Sequence, residues 1–195
     1  MTTRPTPGDQ QRIDGEADIL ALISADPWRL RVLKVAARED LRDWWIVAGF
    51  VRSAVWDALH GYTEPTPLGD VDLVFFDPTR AAREDRSIEE RLRRTAPDVP
   101  WEVYNQAHMH EYNHDTPYTD AVDSFSRWAE TVSTVAVRME ADGSLRLAAP
   151  CGLDDLIGMV LRPNPHPDAR RDIFEQRLRT KKWRELWPRA QVVRD

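Results

Sequence analysis

Asp70 and Asp72 stand one residue apart at the opening of an apolar run, Val71 to Phe76. A strand has a period of two, so both carboxylates project from one face while Val71 and Leu73 point the other way. Two neighbouring anions repel, and partial burial raises the cost unless a cation or hydrogen-bond donors compensate. A divalent ion resolves the conflict, because hard cations such as magnesium prefer carboxylate oxygens, keep several waters and take further ligands from substrate phosphates. Taken alone, the pair reads equally well as a Gly-Asp turn followed by an edge-strand charge that discourages aggregation. Upstream, Ala48-Gly49-Phe50-Val51-Arg52 joins a strand to a helix. There the free backbone N–H groups and the positive helix end can receive a phosphate, and Arg52 adds a fork-shaped cation one turn in.

The elements that must position these residues follow from patterning. Met1 to about Gly15 lacks periodicity and reads as a mobile tail. Ala17 to Ile23 suggests a short helix, and Asp26-Pro27 an N-cap with proline at the first helical position of a second, whose face is Leu30, Leu33, Ala37 and Leu41. Trp44 to Ala48 reads as a strand, Gly49 as a tight turn, and Val51, Ala54, Val55, Ala58 and Leu59 as one face of a helix. After a loop from His60 to Gly69 come a strand over Val71 to Phe76, a charged helix over Ala81 to Arg94 and a third strand over Trp101 to Tyr104. Gln106 to Asp120 has no clear period and is expected as an irregular loop or short helical turns that cover a site. Val132 to Met139 and Ser144 to Ala148 form a hairpin around Asp142-Gly143. Gly152 to Val160 reads as a helix, Pro163 to Pro167 as a rigid break, and Ala169 to Trp183 as a final amphipathic helix.

The order strand, glycine turn, helix with Arg52, loop, then Asp-x-Asp on a strand resembles the nucleotidyltransferase core shared with DNA polymerase β. Trp45-Ile46-Val47-Ala48-Gly49-Phe50-Val51-Arg52, Gly69-Asp70-Val71-Asp72 and the stretch from Trp101-Glu102-Val103-Tyr104-Asn105 to His110 are more closely similar to a bacterial group of nucleotidyltransferase-like proteins in that superfamily. The resemblance runs from about Trp44 to the Trp187-Pro188 end. It implies a metal site on Asp70 and Asp72 with Glu102, from a neighbouring strand, as the third carboxylate. It also implies phosphates held by Gly49, Phe50 and Arg52. Asn105 and Gln106 end the third strand beside Glu102 and read either as base or ribose contacts or as satisfying a loop backbone. One departure is Phe50, which occupies the position after the turn glycine where the superfamily usually has Gly or Ser. The implied reaction moves a nucleoside monophosphate from a nucleoside triphosphate to a hydroxyl acceptor and releases pyrophosphate. Its cofactor would be Mg2+ or Mn2+, and its acceptor a small molecule, a protein or an RNA end. Two other readings stay open: a degenerate nucleotide-binding or regulatory protein, and a metal-dependent phosphohydrolase.

The remaining composition bounds these readings. The chain has 195 residues, with 27 Lys+Arg against 33 Asp+Glu and a net charge of −6, which argues against a simple basic duplex-DNA binder. Hydrophobic content of 42% and 8 Trp suffice for a substantial core. No run reaches the roughly 20 apolar residues of a membrane span, and a single cysteine, Cys151, allows no internal disulfide. A cytoplasmic protein is expected. His108, His110 and His114 fit no standard metal spacing and read as orienting or solvated residues. Arg138 would face phosphate or form a cross-strand ion pair, and Trp183 and Trp187 would anchor the C-terminus. Between Arg170 and Arg189 lie eight basic and three acidic residues, a segment suited to steering an anionic substrate, or else a solvated helix face. The expected architecture is α/β (α+β): a small mixed sheet with flanking helices. It forms one domain over 16–195, with a core at about 44–148 and a helical part at about 151–190.

Overall fold

The computed structural model describes residues 12–81, 83–167 and 169–194. Two helices come first, α1 (Glu16–Ala25) and α2 (Pro27–Ala37). Asp26 caps the second as its sequence requires: the carboxylate accepts the N–H groups of Trp28 and Arg29 at 2.9 and 3.0 Å, with Pro27 at the first turn. Strand β1 (Trp45–Val47) leads directly into α3 (Gly49–His60), which ends on Gly61 in the left-handed conformation. Strand β2 (Val71–Phe75), helix α4 (Glu84–Thr95) and strand β3 (Trp101–Asn105) form a parallel crossover unit. Helices α5 (Gln106–Asn113) and α6 (Ala121–Ser126) follow, then a 3-10 turn at Thr131–Ser133 and the hairpin β4 (Ala136–Met139) and β5 (Leu145–Ala148). Next come α7 (Asp154–Ile157), β6 (Val160–Leu161), α8 (Arg171–Thr180), α9 (Trp183–Leu186) and β7 (Gln191–Val192).

The five-stranded sheet has the order β3-β2-β1-β4-β5. Only β2 and β3 are parallel; β1 pairs antiparallel with both β2 and β4. This is the mixed sheet with flanking helices that the patterning predicts. Its two faces differ. Ile46, Val71, Leu73, Phe75, Trp101, Val103 and Val137 face the main core, built with α1 to α4. Trp45, Val47, Val74 and Ala136 face a smaller cluster closed by Ala121 and Phe125 of α6. Alternation therefore places Asp72, Glu102 and Tyr104 on the thinner side, where a cleft can open.

Several expected boundaries shift. Ile13 lies in the expected tail but is buried in the main core, while residues 1–11 of that tail lie outside the described residues. Gln106 to Asn113 is a helix because the Asn105 side chain caps it, accepting from the Ala107 N–H at 3.2 Å. The expected strand from Val132 starts only at Ala136, since Thr131, Ser133 and Thr134 fold into a turn held by local side-chain bonds. The expected helix over Gly152 to Val160 shrinks to one turn. Its end becomes β6, paired in parallel with β7. The expected final helix breaks at Lys182, whose φ of 50° is left-handed, so Trp183 starts a separate turn.

Candidate active site

The site forms where the β1–α3 junction meets the start of β2. Ala48, the N-cap of α3, has φ 51° and ψ −109°, a strained conformation for a residue with a side chain. Its N–H donates to the Val135 carbonyl at 2.7 Å, while its own carbonyl accepts the N–H groups of Val51 and Arg52 at 3.1 and 2.9 Å. Helix geometry leaves the N–H groups of Gly49 and Phe50 without an intrahelical acceptor. These donors lie at the end of β1, next to β2. A Cβ at Gly49 would meet only ordinary contacts, at 3.8 Å from Arg52 Nη2 and from a Leu68 methyl.

The parallel register sets Asp72 directly opposite Glu102, so both carboxylates leave the same face. Asp70 precedes the strand, and its Oδ2 lies 3.5 Å from Lys181 Nζ. Glu102 accepts a hydrogen bond from the Tyr104 hydroxyl at 2.9 Å. Asp72 is half-buried, and burial, then Asp70 and Glu102, push its pKa up to about 7. Such a carboxyl is an acidic group short of positive charge. Among the described residues, no three His, Cys, Asp or Glu side chains are gathered closely enough to hold an ion as they stand. The donor set that fits a hard divalent cation is thus the Asp70–Asp72 pair, with Glu102 alongside and engaged by Tyr104.

Positive charge surrounds the pair on the opposite side. Arg52 is buried, with Nη1 donating to Ser133 Oγ at 2.9 Å and Nε left without a partner. Burial pushes its pKa down to about 10 despite the attraction of nearby Glu130. Ser133 in turn donates to the buried Glu130 at 2.5 Å, and Glu130 accepts from Arg177 of α8 at 2.9 Å. The Trp183 ring lies 5.2 Å from the Arg52 guanidinium and 5.5 Å from that of Arg177. A cleft of about 530 Å³ extends from Ala48, Asp72 and Ser133 past Tyr104 and Gln106 to Tyr112 and Trp128.

Of the residues singled out from sequence, Asp70, Asp72, Glu102, Gly49 and Arg52 lie around this junction, with the three carboxylates not gathered on one point. Phe50 contributes only backbone. Its ring is buried in the main core, 6.0 Å from the Trp28 ring and 5.5 Å below the Arg29 guanidinium, so its bulk leaves the cleft clear. Asn105 is a correction. It is buried on the core face of β3, and its oxygen accepts from Asp77 N and Ala107 N while its amide donates to the Asp77 carbonyl at 2.8 Å. Its side chain therefore holds backbone, the second of the two readings that the sequence allows. His108 bonds the Arg80 carbonyl at 2.8 Å, His110 stacks edge-on to Tyr118, and His114 ends α5 with φ 59°. Arg138 pairs with Glu140 at 2.9 Å and lies over Trp45. Trp187 does anchor the C-terminus, donating to Asp57 at 2.7 Å. Glu130, Ser133, Arg177 and Lys181 complete the charge pattern. The only advance signal for the two cations was the basic density of the C-terminal segment.

Comparison with known proteins agrees with this geometry. No curated protein matches the chain. Among solved structures, a domain described as a CCA-adding enzyme head domain superposes with a TM-score of 0.84 at 29% identity, covering 94% of this chain and 98% of that one. CCA-adding enzymes in complex with CTP and with ATP share the fold, with TM-scores of 0.58 and 0.55 at 14% identity, covering 92% of this chain. The chain spans only 43% of those enzymes' length. A family model described as nucleotidyltransferase matches residues 34–192. Strand, strained turn, helix and paired aspartates all fall within that span, and the chain belongs to the nucleotidyltransferase family.

Proposed function

We propose that this chain is a metal-dependent nucleotidyltransferase that moves a nucleoside monophosphate from a nucleoside triphosphate to a hydroxyl acceptor. The observation that carries the reading is the β2–β3 register, which sets Asp72 beside Glu102 next to the α3 N-terminus and Arg52. Asp70 and Asp72 would hold Mg2+ or Mn2+. When bound, the cation neutralises phosphate charge and lowers the pKa of a coordinated hydroxyl. The Gly49 and Phe50 N–H groups and Arg52 bind and orient the triphosphate, and Ser133 and Glu130 fix the Arg52 guanidinium. Glu102, on the opposite strand, accepts the proton of the attacking hydroxyl. The acceptor oxygen bonds to the α-phosphorus, the bond from that phosphorus to the bridging oxygen breaks, and pyrophosphate leaves. The similarity to a CCA-adding enzyme head domain favours an RNA 3′ end over a small molecule or a protein as acceptor. The reading takes residues 16–195 as one catalytic unit in the cytoplasm. No described helix is long and apolar enough to cross a membrane.

Two observations favour the second reading, a nucleotide-binding protein without turnover: Tyr104 engages Glu102, and among the described residues the three carboxylates are not gathered around one point. Incubating the chain with each α-labelled ribonucleoside triphosphate, magnesium and a pool of short RNAs separates the two. Labelled RNA with equimolar pyrophosphate supports transfer. Bound nucleotide with no labelled product supports the second reading, and free phosphate alone indicates hydrolysis.

A further inference from the structure

Helix α8 and its C-terminal cap present two cations, four residues apart, towards the acidic end of β2. Arg177 is fixed by bonds to the buried Glu130. Lys181, one turn later, is held differently: among the described residues its ammonium pairs with Asp70 alone, at 3.5 Å, and the two side chains are 44% and 35% exposed. Trp183, buried against Arg52 and Arg177, anchors the chain just beyond it, so Lys181 hangs from a fixed root with a flexible stem. An exposed pair of this kind contributes at most about 1 kcal/mol. A divalent ion competes for the same carboxylate oxygens with twice the charge, whereas a triphosphate brought to the site offers the ammonium several anionic oxygens in exchange.

We propose that Lys181 is a displaceable counter-ion of Asp70, which Asp70 gives up to a divalent cation and the nucleoside triphosphate's phosphates then take up. The inference rests on the nucleotidyltransferase reading and adds a consequence to it: cation and nucleotide load together, because the cation alone leaves Lys181 without an anion and the nucleotide alone leaves Asp70 without a cation. Removing the ammonium has effects of opposite sign on the two ligands. It relieves repulsion at Asp70 and so tightens binding of the bare cation about two- to five-fold. It also costs the nucleotide a charge-assisted contact and weakens its binding about tenfold.

The test uses the full chain and three variants, Lys181→Gln, Asp70→Asn and Lys182→Asn. Lys182 pairs with Glu185 and carries the same charge one residue on, in a left-handed conformation that asparagine tolerates. Free Mn2+ is counted by electron paramagnetic resonance without nucleotide, and each ribonucleoside triphosphate is titrated calorimetrically in saturating magnesium. The expected result is tighter Mn2+ and weaker nucleotide for Lys181→Gln, neither change for Lys182→Asn, and weak Mn2+ for Asp70→Asn. Changes of the same sign for both ligands, no change, or the same pattern in Lys182→Asn overturn the proposal. Asp70-dependent Mn2+ binding with no nucleotide binding in the wild type overturns the nucleotidyltransferase reading as well. Metal-dependent nucleotide binding that Lys181→Gln leaves unchanged refutes the counter-ion role alone.

Discussion

Replacing Asp72 with asparagine separates what the residue costs the fold from what it does for a ligand. Its carboxyl moves from an ordinary pKa of 3.8 to about 7 on folding, chiefly through burial and then through repulsion by Asp70 and Glu102. A raised carboxyl pKa means that the folded chain binds the proton more tightly than the unfolded one. No penalty exists below pH 3.8. It grows between 3.8 and 7 and is complete above 7. At about 1.4 kcal/mol per pH unit the ceiling is about 4 kcal/mol, and the partial exposure of the side chain reduces this to roughly 2 kcal/mol. Asparagine keeps the shape and removes the charge. In a chelator, the variant should therefore unfold at a higher temperature than the wild type at pH 8, by about 4–8 °C for a chain of this size. At pH 5.5 the gain should be about half as large, because the folded carboxyl is then almost wholly protonated and the penalty is only the cost of taking up the proton, which falls towards pH 3.8. Adding magnesium should raise the wild-type melting temperature and leave that of the variant unchanged. A variant less stable than the wild type at pH 8, or a gain that does not vary with pH, would refute the claim that Asp72 sits in an uncompensated acidic site.

Three further substitutions test the surroundings. Glu130→Ala strands Arg177 and Ser133 beside a buried hole, and urea unfolding should show a loss of about 3 kcal/mol, with Glu130→Gln losing less. Asn105→Ala should cost about 2 kcal/mol through the uncapped α5 and the orphaned Asp77 backbone, yet leave nucleotide affinity per folded molecule unchanged; a large affinity loss would restore Asn105 to the binding site. Phe50→Ser installs the small residue usual in the superfamily, but it empties a core position against Trp28 and Arg29. Denaturation should show a loss of about 3–5 kcal/mol, and calorimetry no tighter triphosphate binding.

The acidic pair was legible in the sequence because strand parity alone puts Asp70 and Asp72 on one face, and the long crossover between Asp72 and Glu102 permits a parallel partner. The register that makes Glu102 the neighbour of Asp72 was not legible, since it depends on which strands share an edge. The same parity argument could have corrected Asn105: it lies three residues after Glu102 and so faces the core. Phe50 departs from the small residue usual in the superfamily, and the sequence does not show where its ring goes: on the first turn of α3 the side chain points into the core, away from the backbone N–H groups. The partners of Arg52 were hidden because Ser133 sits in a turn inside what patterning reads as a strand, and Glu130 lies 47 residues from Arg177. The short breaks at Thr131–Ser133 and Lys182 arise from local side-chain bonds and one left-handed residue, neither of which leaves a periodic signature.

Calorimetric titration of the four ribonucleoside triphosphates, with and without magnesium, into the wild type and an Asp70→Asn/Asp72→Asn variant tests the central claim most directly. The account predicts micromolar-range binding of at least one nucleotide in magnesium, lost in chelator and lost in the variant. Binding of equal strength without magnesium or without the two aspartates, or no binding in the wild type, would contradict it.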